Sequence, residues 1–189
     1  MQRKMDAGRD VLVLVDYQAR LMPAIHQGAQ AVATAVLLAD VARVLGVRVI
    51  GTEQNPAGLG PNVDEIRRRC ELTLGKMHFD ACADGLATLL AEGRPAGEVA
   101  DVVIAGCEAH VCLLQTALGL LDAGHRLRVV ENACGSRRPD DRAAAMRRLQ
   151  AAGATLVSAE MVVFEWLRSC EHPAFREVLG LVKAHGPAT

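Results

Sequence analysis

A cysteine near the start of a predicted helix is the residue of this chain best suited to covalent chemistry. The apolar, β-branched run at residues 102–104 predicts a buried strand, Gly106 ends it, and the helix that follows contains Cys112. The first turn of a helix carries free backbone N–H groups and the positive end of the helix dipole, and both stabilise a thiolate. Because the thiolate is the nucleophilic form of cysteine, Cys112 is a candidate nucleophile for attack on a carbonyl group.

Two charged residues stand at the ends of other predicted strands. Asp16 follows the continuous apolar run at residues 11–15, and Lys76 follows a short strand at residues 72–74. Continuous apolarity is typical of strands covered on both faces, as in a parallel sheet, and the carboxyl ends of parallel strands share one edge. We therefore expect these two side chains to meet Cys112 there. Asp16 would take the thiol proton and later pass it to a leaving amine, and Lys76 would stabilise both anions.

Each of the three residues also has an interpretation without chemistry. A free cysteine is often a small buried apolar residue, an aspartate after a strand often forms a turn, and a lysine at a strand end often extends along the surface. Two other functions stay open for the whole chain. One is a catalytically silent binding or scaffold protein. The other is a redox-active thiol protein in which Cys112 pairs with Cys107 or Cys134.

Strands and helices alternate along the whole sequence. Six strands are predicted, at residues 11–15, 47–51, 72–74, 102–104, 127–130 and 154–157, with helices between and after them, among them residues 29–45, 61–70, 84–91, 140–152 and 172–184. Such alternation is typical of a three-layer α/β/α fold with a mostly parallel, six-stranded, Rossmann-like sheet. Because no linker composition divides the chain, we expect one domain over residues 1–189, with residues 1–9 as an N-terminal tail.

The composition narrows the class of partner. The formal net charge of -1 at pH 7 favours neither nucleic acid nor anionic lipid, so we expect a small-molecule substrate. The six cysteines show no CxxC spacing and the N-terminus lacks the apolar core of a signal peptide, which predicts reduced thiols and a cytoplasmic location. We expect no apolar run to reach the length of a membrane span.

Three separated segments resemble the signature motifs of one enzyme family. They read VDYQ around Asp16, KMHF from Lys76 and AGCEAHVCLLQTA around Cys112. In this order they resemble the isochorismatase-like cysteine hydrolases, which include nicotinamidases. The stretches TEQNPAGLGP, HVCLLQTALGLLDAG and EHPAFREVLGLVK are more similar to the branch of isochorismatase domain-containing hydrolases. The resemblance covers essentially the whole domain and implies the same α/β fold.

The resemblance also implies roles for individual residues. Asp16, Lys76 and Cys112 match the catalytic Asp-Lys-Cys triad of the family. The bond between Cys107 and Glu108 matches a non-proline cis peptide, which in the family directs the backbone N–H at Glu108 into an oxyanion hole shared with the N–H at Cys112. The implied reaction is hydrolysis of a carbon–nitrogen bond in a small amide, through an acyl group carried on the cysteine sulfur.

Four more residues are candidates for the substrate pocket or its support. Gln18 matches the glutamine of the first motif and is expected to support the site. Tyr17 and Phe79 are expected to form walls of the pocket. His110 lies close to the nucleophile in sequence, but the resemblance gives the proton-handling role to the aspartate. The roles of Asp80, Cys107 and Cys134 are left open.

The departures from the family pattern bear on cofactors and substrate. Nicotinamidases hold a metal with Asp and His residues in the loop after the second strand, where this chain reads TEQNP without histidine. Glu53 and His78 alone would make a poor metal site, so we expect no metal and no cofactor, and nicotinamide is a less favoured substrate. Members that hydrolyse the vinyl ether of isochorismate lack the nucleophilic cysteine, so Cys112 also disfavours that reaction. Apolar helix faces with Phe164 and Trp166 predict a homo-oligomer, a dimer or larger.

Overall fold

Six parallel strands form the centre of the protein. The structure is a computed structural model that describes residues 4–95 and 98–185. The strands are β1 (Asp10–Val15), β2 (Arg48–Gln54), β3 (Leu72–Lys76), β4 (Asp101–Gly106), β5 (Arg126–Val130) and β6 (Thr155–Val157). They pair in the order β3-β2-β1-β4-β5-β6, with every neighbouring pair parallel. This confirms the predicted three-layer α/β fold with a six-stranded sheet.

Helices cover both faces of the sheet. They are α1 (Gly28–Leu45), α2 (Pro56–Leu59), α3 (Asp64–Arg67), α4 (Leu86–Ala91), α5 (Leu114–Asp122), α6 (Pro139–Ala151), α7 (Ala159–Leu167) and α8 (Phe175–His185). A π-helical turn, Ala109–Leu113, leads directly into α5. Helix α1 packs with α3, α7 and α8, and α5 packs with α6. Because the strand order runs outward from β1 in one direction and from β4 in the other, right-handed connections put these two groups on opposite faces.

The central strands are buried along their whole length. All six residues of β1 and all six of β4 are buried, which agrees with their continuous apolar sequences. In the register of the sheet, Val15 lies between Thr52 of β2 and Gly106 of β4. The carboxyl ends of three neighbouring strands therefore stand side by side, and the residue that follows β1 is surrounded by the ends of both neighbours.

Two predicted boundaries near this edge were wrong. Strand β2 continues to Gln54, three residues beyond the predicted end at Gly51, because Gln54 still pairs with Lys76 in the register of β3. The helix predicted for residues 61–70 is limited to α3. The chain must turn back after it to join the sheet, where the backbone N–H of Glu71 donates to the carbonyl of Val49.

Three further expectations need correction. Helix α1 is long and apolar enough, by length and composition, to cross a membrane, although more than half of it is buried inside the protein, as in the core helix of a soluble protein. Trp166 lies in the core, where its Nε1–H donates to Asp10 at 2.7 Å, so it is not available for contact with another subunit. Phe164 is exposed. Met5, within the segment predicted as a tail, is also buried in the core.

Candidate active site

The three candidate catalytic side chains lie at the carboxyl edge of the sheet. Asp16 follows β1 with a positive φ of 53°, Lys76 is the last residue of β3, and Cys112 lies in the π-helical turn after β4. Lys76 Nζ is 2.8 Å from Asp16 Oδ2, and both side chains are fully buried. The Cys112 thiol lies close enough to both charged groups for each of them to shift its pKa, and its sulfur is 3.9 Å from Gln54 Oε1. One acid, one cation and one sulfur therefore share a single site.

The carboxylate of Asp16 has one oxygen held and one oxygen open. Oδ1 accepts a hydrogen bond from the Thr52 hydroxyl at 2.6 Å. Oδ2 meets Lys76 as an ion pair but has no partner in hydrogen-bond geometry within the described part of the chain. Buried carboxylate oxygens normally accept hydrogen bonds. An oxygen that is fixed in place and still has a free lone pair can accept a proton from a neighbouring thiol.

The ammonium of Lys76 is held in the buried site by four oxygen atoms. Gln54 Oε1 accepts from Nζ at 2.7 Å, the backbone oxygens of His78 and Phe79 lie at 3.4 Å, and the fourth oxygen belongs to Asp16. A buried charge persists only when it is paired and hydrogen-bonded, and this set of oxygens meets both needs. The positive charge is therefore fixed beside the sulfur of Cys112.

The surroundings of Cys112 favour its thiol form over the thiolate. The residue is 6% exposed, and burial raises the pKa of its thiol to about 12, with a further upward contribution from the charge of Asp16. The charge of Lys76 lowers the pKa but does not offset these effects. The sequence argument for a thiolate at a helix start is thus outweighed by burial. Attack by this sulfur on a carbonyl carbon would need a base to take its proton, and Asp16 Oδ2 has no hydrogen-bond partner among the described residues.

The peptide bond between Cys107 and Glu108 is cis. Within residues 4–95 and 98–185, no acceptor takes the backbone N–H of Glu108, whereas the next N–H, at Ala109, donates to the carbonyl of Gly135 at 2.7 Å. The carboxylate of Glu108 is tied to Arg137, whose backbone N–H and Nε donate to its Oε2 at 3.1 and 3.0 Å. The N–H at position 108 therefore immediately precedes the turn that carries Cys112.

Tyr17 and Gln18, which follow Asp16 in sequence, are both buried. Gln18 makes three hydrogen bonds: Nε2 donates to the carbonyls of Gln54 and Gly60, and Oε1 accepts from the Gln54 backbone N–H. Tyr17 is fully buried, and its hydroxyl donates to the carbonyl of Ala133 at 2.5 Å. Both residues hold the strand ends in place. A fully buried ring does not form an exposed pocket wall, which leaves support as the role of Tyr17.

The remaining candidates lie at different places around the site. Phe79 is 50% exposed, and its carbonyl is held by the Thr116 hydroxyl as well as facing Lys76. Asp80 caps the short helix Ala81–Asp84 by accepting from the Cys82 backbone N–H. The His110 ring contacts the Ser136 hydroxyl at 3.0 Å. His110 therefore points to the loop around Ser136.

Comparison with known proteins identifies the family. The isochorismatase domain model matches residues 10–161. Isochorismatase domain-containing protein 2 of Homo sapiens is 36% identical over 180 residues, which cover 95% of this chain and 86% of the human protein. The chain belongs to the isochorismatase family. The members of this family are generally hydrolases.

Solved structures share the fold of this isochorismatase-family protein over nearly its full length. A MAR1 ribonuclease structure from Caenorhabditis elegans has a TM-score of 0.89 at 30% identity and covers 99% of this chain and 96% of that chain. The YcaC gene product of Escherichia coli, described as an octameric hydrolase of unknown specificity, has a TM-score of 0.81 at 22% identity, covering 98% and 99%. The second likeness is one of fold alone.

The two side chains considered as metal ligands have other partners. Glu53 Oε1 accepts from the Asn62 backbone N–H at 2.8 Å, and His78 Nδ1 lies 3.2 Å from Asp84. Among the residues that the structure describes, there is no group of three or more His, Cys, Asp or Glu side chains able to hold a metal ion. The donor chemistry of this isochorismatase-family site thus differs from the Asp and His set of nicotinamidases.

Sequence reasoning missed two residues of the site, Thr52 and Gln54. Both follow Gly51, where β2 was predicted to end, so they were assigned to a loop. The alternation of the strand carries Thr52 to Asp16 and Gln54 to Lys76. The polar triplet Thr-Glu-Gln at the end of a buried strand was the available signal, because polar residues on an otherwise apolar strand need buried partners.

A sizeable groove in the described part of the chain lies away from this site. A groove of about 760 Å³ lies between α1 and α8, with Val32, Val36 and Leu181 in its lining. It is mainly apolar and contains none of the three candidate catalytic side chains. This groove is therefore separate from the candidate active site, which rests on the chemistry of its side chains.

Proposed function

We propose that this isochorismatase-family protein hydrolyses the carbon–nitrogen bond of a small amide. In this proposal Cys112 is the nucleophile, Asp16 is the general base and then the general acid, and Lys76 stabilises the negative charges. The backbone N–H groups at Glu108 and Cys112 bind the oxyanion. The observation that carries the proposal is the buried Asp16–Lys76 pair beside the thiol, with Asp16 Oδ2 free to accept a proton.

The first half of the reaction forms a thioester. The Cys112 sulfur attacks the amide carbon as its proton passes to Asp16 Oδ2, and the carbonyl oxygen becomes an oxyanion that the backbone N–H groups bind. The oxyanion then collapses, the carbon–nitrogen bond breaks, and Asp16 returns the proton to the leaving amine. The acyl group is now attached to sulfur, and an amine or ammonia has left.

The second half of the reaction restores the enzyme. Asp16 takes a proton from a water molecule as the water oxygen attacks the thioester carbon. The carbon–sulfur bond breaks, and the proton on Asp16 returns to the sulfur of Cys112. The product is a carboxylic acid. Because the thiol of Cys112 holds its proton at neutral pH, each half depends on the same carboxylate.

The test is release of ammonia from a panel of small amides by wild type, Cys112→Ala, and Cys170→Ala as a matched control. Cys170 is exposed and lies outside the site. Loss of the nucleophile is expected to reduce kcat/KM by at least about 10³-fold, and the control is expected to match wild type. Turnover that survives Cys112→Ala would remove the proposed nucleophile. Wild type inactive on every amide would favour the scaffold function.

A redox function has less support from the other cysteines. Cys107 and Cys134 are buried, and burial is the largest cause that raises the pKa of each thiol. Buried thiols with raised pKa values react slowly, because the thiolate is the reactive form. Titration of thiols after exposure to peroxide tests this alternative. A disulfide between Cys112 and either residue would favour it over hydrolysis.

We also propose a cytoplasmic homo-oligomer that acts on small molecules. The free cysteines suit a reducing compartment, and the exposed Phe164 and Met161 of α7 suit a subunit contact. The E. coli neighbour of similar fold is described as octameric. Light scattering of the purified protein measures the assembly, and a monomer at micromolar concentration would contradict it.

An RNA substrate belongs in the activity panel, because the C. elegans neighbour carries the name ribonuclease.

A further inference from the structure

Gln54, the last residue of β2, contacts two of the three proposed catalytic side chains. Its Oε1 accepts from Lys76 Nζ at 2.7 Å and lies 3.9 Å from Cys112 Sγ. Its Nε2 donates to the backbone oxygen of Met77 at 2.8 Å. The residue is only 7% exposed, so these contacts are made away from bulk water. Gln54 is thus a buried member of the site that contacts both Lys76 and Cys112.

The two ends of the Gln54 carboxamide cannot be exchanged. An ammonium group only donates hydrogen bonds and a backbone oxygen only accepts them, so Oε1 must face Lys76 and Nε2 must face Met77. A glutamate of the same length would set a second oxygen against the Met77 oxygen and a negative charge beside Lys76. A side chain of the right length is therefore not sufficient at this position. The contacts also need the acceptor and the donor of an amide.

The backbone of Gln54 is fixed as firmly as its side chain. Its N–H donates to Gln18 Oε1 at 2.9 Å, and its carbonyl accepts from Gln18 Nε2 at 3.0 Å. Gln18 stands two residues after Asp16 and also donates to the carbonyl of Gly60 at 2.6 Å. These bonds connect the ends of β1, β2 and β3. A shift of Gln54 would therefore shift the ammonium of Lys76 relative to the carboxylate of Asp16.

We propose that Gln54 is a positioning residue, whose neutral carboxamide holds the Lys76 ammonium between Asp16 and Cys112 without adding a second negative charge to the site. This inference rests on the proposed function, in which the positive charge of Lys76 must act on the sulfur as its proton leaves. A carboxylate at position 54 would form an ion pair with Lys76 and weaken the effect of the Lys76 charge on the sulfur. It would also stand close to the sulfur, where it opposes formation of the thiolate.

Alkylation of Cys112 by iodoacetamide measures this effect without any substrate. Gln54→Glu is compared with Gln150→Glu, which makes the same change of charge at an exposed position on α6. The rate is followed at pH 8, 9 and 10 by mass spectrometry of the peptide that contains Cys112. We expect about a tenfold slower rate for Gln54→Glu, which corresponds to a rise of one pKa unit, and no change for Gln150→Glu. A Gln54→Glu rate within twofold of wild type would overturn the inference.

Gln54→Met separates position from charge. Methionine keeps the length of the side chain but can neither accept from Lys76 nor donate to Met77. We expect alkylation of Cys112 in Gln54→Met to stay within threefold of wild type, while kcat for the amide falls at least tenfold and KM changes less. A kcat within twofold of wild type would refute a positioning role. Thermal unfolding of each variant checks the fold, and Gln54→Met decides the matter if Gln54→Glu does not fold.

The two proposals fail in different ways. If no amide is turned over by wild type, the proposed function fails, and the alkylation rates of Gln54→Glu still decide whether the carboxamide controls the charge at the sulfur. If amides are turned over and Gln54→Glu is alkylated at the wild-type rate, the proposed hydrolase function is retained and the proposed role of Gln54 is rejected.

Discussion

At the residue scale, the proposed chemistry depends on how the two oxygens of one carboxylate differ. Asp16 Oδ1 is held by the Thr52 hydroxyl at 2.6 Å, while Oδ2 has no hydrogen-bond partner in the described chain and faces Lys76. The Thr52 hydroxyl sets the rotation of the carboxylate, and that rotation leaves Oδ2 facing Lys76 with no hydrogen-bond donor among the described residues. In the proposed mechanism, Thr52 would therefore act through the orientation of Asp16.

Thr52→Val is the change that tests this dependence. Valine keeps the branched shape but leaves Asp16 Oδ1 buried without a donor, which costs about 1–3 kcal/mol of folding free energy. We expect kcat/KM for the amide to fall about 10- to 100-fold, because a misdirected base transfers the proton less well. Steady-state kinetics and urea unfolding measure the two effects. Thr52→Ser, which restores the hydroxyl, should recover most of the activity, and equal losses in both variants would argue against the bond.

At the element scale, a buried carboxylate joins the starts of β4 and β5, at the end of the sheet opposite the site. Asp101 begins β4 and accepts from Arg126 Nε at 2.5 Å, Arg126 Nη2 at 2.7 Å and Arg128 Nη1 at 2.9 Å. Burial alone would raise the pKa of Asp101, but the hydrogen bonds and charges of the two arginines outweigh it and lower the pKa to about 2. Ionised Asp101 therefore stabilises the pairing of the two strands.

Unfolding at acid pH should show the loss of stability that follows protonation of Asp101. A lowered pKa gives stability that is complete above the ordinary value near 4 and is lost as pH falls towards 2, because the unfolded chain binds the proton first. We expect Asp101→Asn to be less stable than wild type at pH 7 by roughly 1–3 kcal/mol, since Arg126 is 40% exposed and water screens part of the pair. Between pH 4 and 2 the difference should shrink. A constant difference in urea unfolding over that range would contradict the assignment.

The same scale explains what could be predicted from the sequence. The apolar runs of β1 and β4 fixed their positions, and the polar residues that follow such runs located Asp16 and Cys112 at the carboxyl edge. The end of β2 could not be found in this way, because Gly51 and the polar residues after it are typical of a loop. Strand β2 extends beyond Gly51 because Gln54 pairs with Lys76, a partner that lies 22 residues away in sequence. Catalytic roles for these residues stay predictions.

At the scale of the whole molecule, the strand order explains why the site forms where it does. The chain moves outward from β1 through β2 to β3, then returns to β4 on the other side of β1 and continues to β6. The connections leave β1 and β4 in opposite directions, and in open α/β sheets ligands bind beyond the carboxyl ends of the strands at such a point. Asp16 and the turn that bears Cys112 both stand at this point. Lys76 reaches it from β3 because a lysine stem is long.

Buried thiols should make the stability of the whole molecule sensitive to alkaline pH. Burial raises the pKa of Cys134 to about 12, and it is also the largest cause that raises the pKa of Cys107. The unfolded chain releases these protons near pH 8.5, so the stability that they contribute is complete below that value and is lost as pH rises. We expect each thiol to reduce the free energy of unfolding by about 2 kcal/mol between pH 8 and pH 10.

Cys134→Ala and Cys170→Ala isolate this effect from other groups that titrate in the same range. Cys134 is buried, whereas Cys170 is exposed, so Cys134→Ala removes a thiol whose pKa burial raises and Cys170→Ala removes one at the surface. Urea unfolding at pH 8, 9 and 10 should give a shallower loss of stability for Cys134→Ala, and the same loss as wild type for Cys170→Ala. Parallel losses in all three proteins would mean that the thiol of Cys134 ionises in the folded state, and that the interior beneath the sheet edge admits charge more readily than its burial implies.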